Sequence, residues 1–193
     1  MSTHEVLNIN NNQFYIIGSS AGVAARGVNI VGDVNSNTKN NITIIGNNID
    51  TLRQGTGIVV DKTLDRCNIS NNIVITNNSS SRGIYLFTAA GTSVSSEVVV
   101  SGNCISSTTG SLTIGIEADF VSSTGDGRFV LSNNVIRGFT QYGMFLSGAS
   151  ASQAISALGN ILESANSGVV GIFLLNLARF TVNSNIINIT SSA

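Results

Sequence analysis

The sequence predicts an all-β fold, a right-handed parallel β-helix of about seven coils, forming one domain over residues 1–193. Three observations predict it. A short apolar unit recurs with an asparagine at its turn. A second unit, opening on glycine, alternates with the first. The composition is rich in Asn, Ser, Thr and Gly, with only 10% charged residues and 42% hydrophobic ones.

The first unit reads apolar-x-apolar-x-x-Asn-x-apolar. It occurs at 42–49, 67–74, 98–105, 129–136, 155–162 and 180–187, with a weaker copy at 7–14. Its aligned asparagines are Asn12, Asn47, Asn72, Asn103, Asn134, Asn160 and Asn185, at successive separations of 35, 25, 31, 31, 26 and 25 residues. The preceding residue is Asn11, Gly46, Asn71, Gly102, Asn133, Gly159 or Ser184. Asn and Gly are the residues that most readily adopt positive φ, so a sharp bend is expected there. Stacked coils place equivalent asparagines about 4.8 Å apart, close enough for their amides to hydrogen-bond along the stack. The predicted ladder comprises Asn47, Asn72, Asn103, Asn134, Asn160 and Asn185, as scaffold without chemistry.

The second unit is a glycine followed by alternating apolar residues. It starts at Gly27, Gly57, Gly83, Gly115, Gly143 and Gly171. Period-2 alternation makes each segment a strand, and Ile and Val suit a pleated surface. Strands this short cannot bury a face alone, so the coils must stack around one core. The polar stretches between units vary in length, as surface loops do.

Composition also limits function. Net charge is −1 and no Lys/Arg run exists, which argues against a nucleic-acid partner. Residues 1–5 carry no basic n-region and no signal peptide is read; the longest apolar stretch, 168–175, is too short to span a bilayer, so membrane insertion is not expected. Cys67 and Cys104 are expected to be buried free thiols. With a single histidine, His4, no metal site and no cofactor are expected.

The glycine strand followed by the asparagine-turn strand resembles the parallel β-helix repeat of the pectin-lyase-like superfamily, from about Val6 to Ile189, and most resembles the β-helix domains of phage tailspikes and fibres. The resemblance implies the fold strongly and the activity weakly, because the superfamily spans polysaccharide lyases, glycoside hydrolases, epimerases, adhesins and tailspikes. The polygalacturonase-like, pectate-lyase-like and alginate-epimerase signatures are absent from the chain. The tailspike likeness implies side-by-side association, with a trimer favoured, and a virion or extracellular location.

The first coil begins within about six residues of Met1 and the last ends near Ile189, without a capping helix. The chain is therefore expected to be part of an assembly or a piece of a larger protein.

In the glycine strands, residues one and three after glycine are expected to face the core, and residues two and four to face outward. The outward positions include Tyr85, Phe87, Glu117, Asp119, Phe145 and Phe173. Three uses of this strip are weighed. Aromatic faces and carboxylates suit a carbohydrate groove. Glu117 and Asp119, about 7 Å apart along one strand, could form an acid/base pair, with Asp61 or Asp126 as alternatives. An apolar strip also suits a subunit interface, the favoured reading. Arg26 and Arg82, each before a strand glycine, are expected to be solvated rim charges.

The expected function is a virion structural protein of tailspike or fibre type, a homo-oligomer serving as a rigid spacer or receptor-binding module that contacts host-surface polysaccharide. The alternatives are a polysaccharide-degrading lyase or glycoside hydrolase and a bacterial surface adhesin. Catalysis is not favoured.

Overall fold

In a computed structural model the described residues are 4–16, 25–31, 39–51, 55–61, 66–76, 81–87, 97–108, 111–120, 127–148 and 154–190. They contain strands and no helix. In chain order these are β1 (His4–Asn10), β2 (Gln13–Ile16) and β3 (Ala25–Val31); β4 (Lys39–Ile45), β5 (Asn48–Thr51) and β6 (Gly55–Asp61); β7 (Arg66–Ser70), β8 (Ile73–Thr76) and β9 (Ser81–Phe87); β10 (Glu97–Ser101), β11 (Cys104–Ser106) and β12 (Leu112–Phe120); β13 (Arg128–Ser132), β14 (Val135–Arg137) and β15 (Phe139–Gly148); β16 (Ala154–Leu158), β17 (Ile161–Ser164) and β18 (Val170–Leu175); then β19 (Arg179–Asn183) and β20 (Ile186–Ile189).

Every third strand pairs, always parallel. Sheet A stacks β1-β4-β7-β10-β13-β16-β19, sheet B stacks β2-β5-β8-β11-β14-β17-β20, and sheet C stacks β3-β6-β9-β12-β15-β18. The fold is thus a parallel β-solenoid of six three-strand coils and a two-strand remainder. The asparagine unit supplies two strands rather than one, because it bends between them. At each bend the residue before the ladder asparagine has positive φ: 58° at Asn11, 68° at Gly46, 56° at Asn71, 64° at Gly102, 55° at Asn133, 64° at Gly159 and 56° at Ser184.

The ladder is continuous from Asn12 to Asn185. Each Nδ2 donates to the Oδ1 of the next asparagine, at 2.8 to 3.0 Å. The backbone N–H of the same residue donates to that same Oδ1. From Asn47 onward, Nδ2 also donates to a backbone carbonyl of the preceding coil. Asn72, Asn103 and Asn134 thereby satisfy both amide protons and both acceptor sites while at most 1% exposed. The ladder has a direction: each Oδ1 accepts from the earlier coil, while the backbone N–H and one Nδ2–H point to the later one.

Inside the ladder runs one apolar core. Sheet A contributes Ile42, Ile44, Ile69, Val98, Val100, Phe129 and Leu131; sheet B contributes Ile49, Val74, Ile105, Ile136 and Leu162; sheet C contributes Ile58, Val60, Ile84, Leu86, Ile116, Met144 and Leu146. Each fully buried aliphatic side chain of this kind contributes about 1.5–3 kcal/mol. The glycine that opens each sheet C segment is a packing requirement. A Cβ on Gly83 would press on the Ile105 side chain and lie 2.6 Å from the Gly115 carbonyl oxygen.

Of the two free cysteines, Cys67 is buried as expected and Cys104 is not. Cys67 lies in an inward column of sheet A, with Ile42 and Val98, and is buried. Cys104 follows the ladder asparagine directly, so strand parity turns it outward beside Ile73 and Val135, and it is only half-buried.

Candidate functional site

The outer face of sheet C places three columns side by side. The residue before the glycine, or its register equivalent, gives Arg26, Thr56, Arg82, Ile114, Tyr142 and Val170. Two residues after the glycine come Asn29, Val59, Tyr85, Glu117, Phe145 and Phe173. Four after it come Val31, Asp61, Phe87, Asp119, Ser147 and Leu175. A register irregularity between Leu112 and Ile114 leaves these columns aligned from the glycine onward.

The expected solvent strip is covered along its middle. Asn29, Val31 and Leu175 are exposed, but Tyr85, Phe87, Asp119, Phe145 and Phe173 are half-buried, Glu117 is 7% exposed, and Val59 and Ser147 are buried. Part of the cover is Arg82, which is not a solvated rim charge. Its Nε forms an ion pair and hydrogen bond with Glu117 Oε2, and its guanidinium lies 4.7 Å from the Tyr85 ring centroid. A buried carboxylate requires such a partner. Arg26 instead stays at the surface, where its Nη1 donates to Asn29 Oδ1 at 2.9 Å.

One coil on, Ser147 Oγ donates to Asp119 Oδ1 at 2.7 Å. The Tyr85 phenol is raised above its ordinary value, first by burial and next by the charge of Glu117; Arg82 opposes this, and Asp119 and Asp61 add to it. Three carboxylates and Arg82 thus act electrostatically on one phenol. Among the described residues no group of three or more His, Cys, Asp or Glu side chains could hold a metal ion. Asp126, weighed as an alternative acid, lies outside the described residues.

The aromatic half of the strip lies over β15 and β18. Phe145 and Phe173 stack with centroids 5.4 Å apart and planes 17° from parallel. Tyr142 packs edge-on against Phe145 at 5.4 Å and tilted against Phe173 at 5.2 Å. Tyr142 completes this cluster, although the outward-strand positions did not include it. The available signal was Arg82, which occupies the same column before its own glycine.

Sequence reasoning thus brought together Tyr85, Glu117, Asp119, Phe145 and Phe173 on one face, with Phe87 6.0 Å from Tyr85 between ring centroids. It missed Tyr142, the Arg82–Glu117 pair and the Ser147 hydrogen bond. A second concavity, about 320 Å³, lies on sheet A and is lined by Asn41, Thr43, Arg66, Asn68 and Glu97 among others.

Comparison with protein-family models, with curated proteins and with solved structures finds no match to this chain.

Proposed function

We propose that this chain is a structural module of a virion fibre or tailspike: a rigid β-solenoid that associates side by side with copies of itself, as a trimer, through the outer face of sheet C. The supporting observation is the Tyr142–Phe145–Phe173 cluster. Phe145 and Phe173 turn one face toward each other, and Tyr142 packs against both. Ring faces used in this way are not free to lie flat on a sugar, whereas a ridge of packed aromatic rings suits burial under a protein partner. Glu117, held by Arg82, supports the same reading: a hydrolytic acid would have to leave that partner to reach a substrate.

The test is light scattering with small-angle X-ray scattering on the intact chain. Three chain masses and a widened cross-section are expected. Phe145→Ser combined with Phe173→Ser is expected to give the width of a single solenoid with unchanged circular dichroism. A wild-type protein of single-solenoid width overturns the proposal.

A second reading is favoured by Tyr85, whose half-buried ring stands beside Glu117 and Asp119 as a sugar-contacting residue would. On that reading the strip binds host-surface polysaccharide. Loss of glycan binding in Tyr85→Ala, with width retained, would support it.

A further inference from the structure

We infer that the hollow on the outer face of sheet A is a binding site for an uncharged, hydroxyl-rich ligand, a short stretch of neutral saccharide. It lies on a different sheet from the aromatic strip, and the inference does not depend on that strip's role.

The strand registers lay the hollow out as a small array. Asn41, Arg66 and Glu97 stand side by side on β4, β7 and β10; Thr43, Asn68 and Val99 stand side by side on the same strands. The residues between these columns, Ile42, Cys67 and Val98, are buried, so strand parity turns both columns outward. The hollow above them has a volume of about 320 Å³, within the range of small-molecule sites.

The array is short of hydrogen-bond donors. The Oδ1 atoms of Asn41 and Asn68 are buried and accept no hydrogen bond among the described residues. A buried acceptor without a donor destabilises the fold, and native chains keep few of them. The scaffold does not call for an amide here. The neighbouring strands carry Val99 and Val130 in the column of Asn68. A ligand that brings a donor removes the cost. The terminal torsion of asparagine is soft, so a small turn presents either oxygen to a group in the hollow.

The charges narrow the ligand. Arg66 and Glu97 are register neighbours and both exposed, yet they form no ion pair among the described residues. The guanidinium offers donors, whereas the carboxylate and the amide oxygens need them. The opposite charges cancel, so the array favours neither an anion nor a cation. No aromatic ring is among the described residues lining the hollow, so a flat apolar ligand has nothing to stack on. A protein partner would bury Glu97 and the unpaired oxygens at its centre, where interfaces are depleted of charge. Sugar hydroxyls donate and accept at once, so adjacent hydroxyls of a neutral saccharide satisfy the guanidinium, the carboxylate and the amides together.

The test uses the 193-residue chain and its variants. Asn68→Val removes an unpaired oxygen and installs the side chain of the neighbouring strand. Its thermal midpoint is expected to rise above wild type; a lower midpoint would make Asn68 structural and overturn the inference. Binding is followed on the side-chain amide signals of Asn41 and Asn68 in nitrogen-15 NMR. The neutral probes are maltotriose, cellotriose and mannotriose, with trigalacturonate as the anionic comparator and the glucosamine trimer as the cationic one. A neutral probe is expected to shift both amide signals. Asn68→Val and Glu97→Ala should each weaken its binding by at least about tenfold, and Tyr85→Ala should leave it unchanged. Binding of a charged comparator alone, binding of none of the probes, or unchanged binding in Asn68→Val overturns the inference. Loss of binding in Tyr85→Ala also overturns it, by moving the saccharide to sheet C, so the two sites are told apart.

Discussion

The amide oxygen of Asn71 occupies the space above Gly102, 2.5 Å from where a Cβ on that glycine would lie. Both residues have positive φ, so the glycine meets two demands at once. Gly102→Ala is expected to cost about 2 kcal/mol from backbone strain and overpacking together. Adding Asn71→Gly should recover about half, because only the collision is relieved. Urea denaturation of both variants measures this; equal stability of the single and double variants would show that the collision is unimportant.

The ladder is expected to be strongest at its middle. Asn103→Ala leaves the Asn72 backbone N–H, one Asn72 Nδ2–H and the Ile69 carbonyl without their partner in a dry interior. Losing several buried hydrogen bonds should cost about 3 kcal/mol or more. Asn12→Ala, at an exposed end where water replaces the lost bonds, should cost about 1 kcal/mol or less. Equal losses on denaturation would mean that burial does not set the value of a rung.

Arg82 and Glu117 are expected to be strongly coupled. Arg82→Ala strands a carboxylate that is 7% exposed and should destabilise by about 2–3 kcal/mol. Arg82→Ala with Glu117→Gln should cost less than the sum of the two single changes, which a double-mutant cycle reads directly. Additive effects would show that the pair carries no mutual stabilisation.

Burial pushes the Cys67 thiol from its ordinary 9.0 up to about 12. The unfolded chain releases this proton near pH 9, while the folded chain holds it until about pH 12. The folded state binds more protons in that window, so stability falls as pH rises through it, by up to about 1.4 kcal/mol per unit. Tyr85, also raised, acts in the same direction. Cys67→Val should flatten the alkaline decline in urea midpoint. An unchanged slope in Cys67→Val would assign the decline to other groups.

The site was less legible than the scaffold. Strand parity put Tyr85, Glu117, Phe145 and Phe173 on one face, because the residues flanking each of them face inward. Parity also misplaces a residue when a bend resets it: Cys104 matched an apolar position by type but stands one residue after the Asn103 corner and turns outward. Arg82 was read as solvated because its partner, Glu117, is 35 residues away and becomes a neighbour only when the coils stack.

The recurring asparagine and glycine by themselves determined the solenoid, its ladder and its inward columns, since each is a local demand repeated at every coil: positive φ, a buried amide, or no room for a Cβ. Only the tertiary structure decided which charges pair and how far the aromatic strip is covered. Those depend on side chains from different coils meeting across the stack, and a periodicity cannot carry such pairwise geometry.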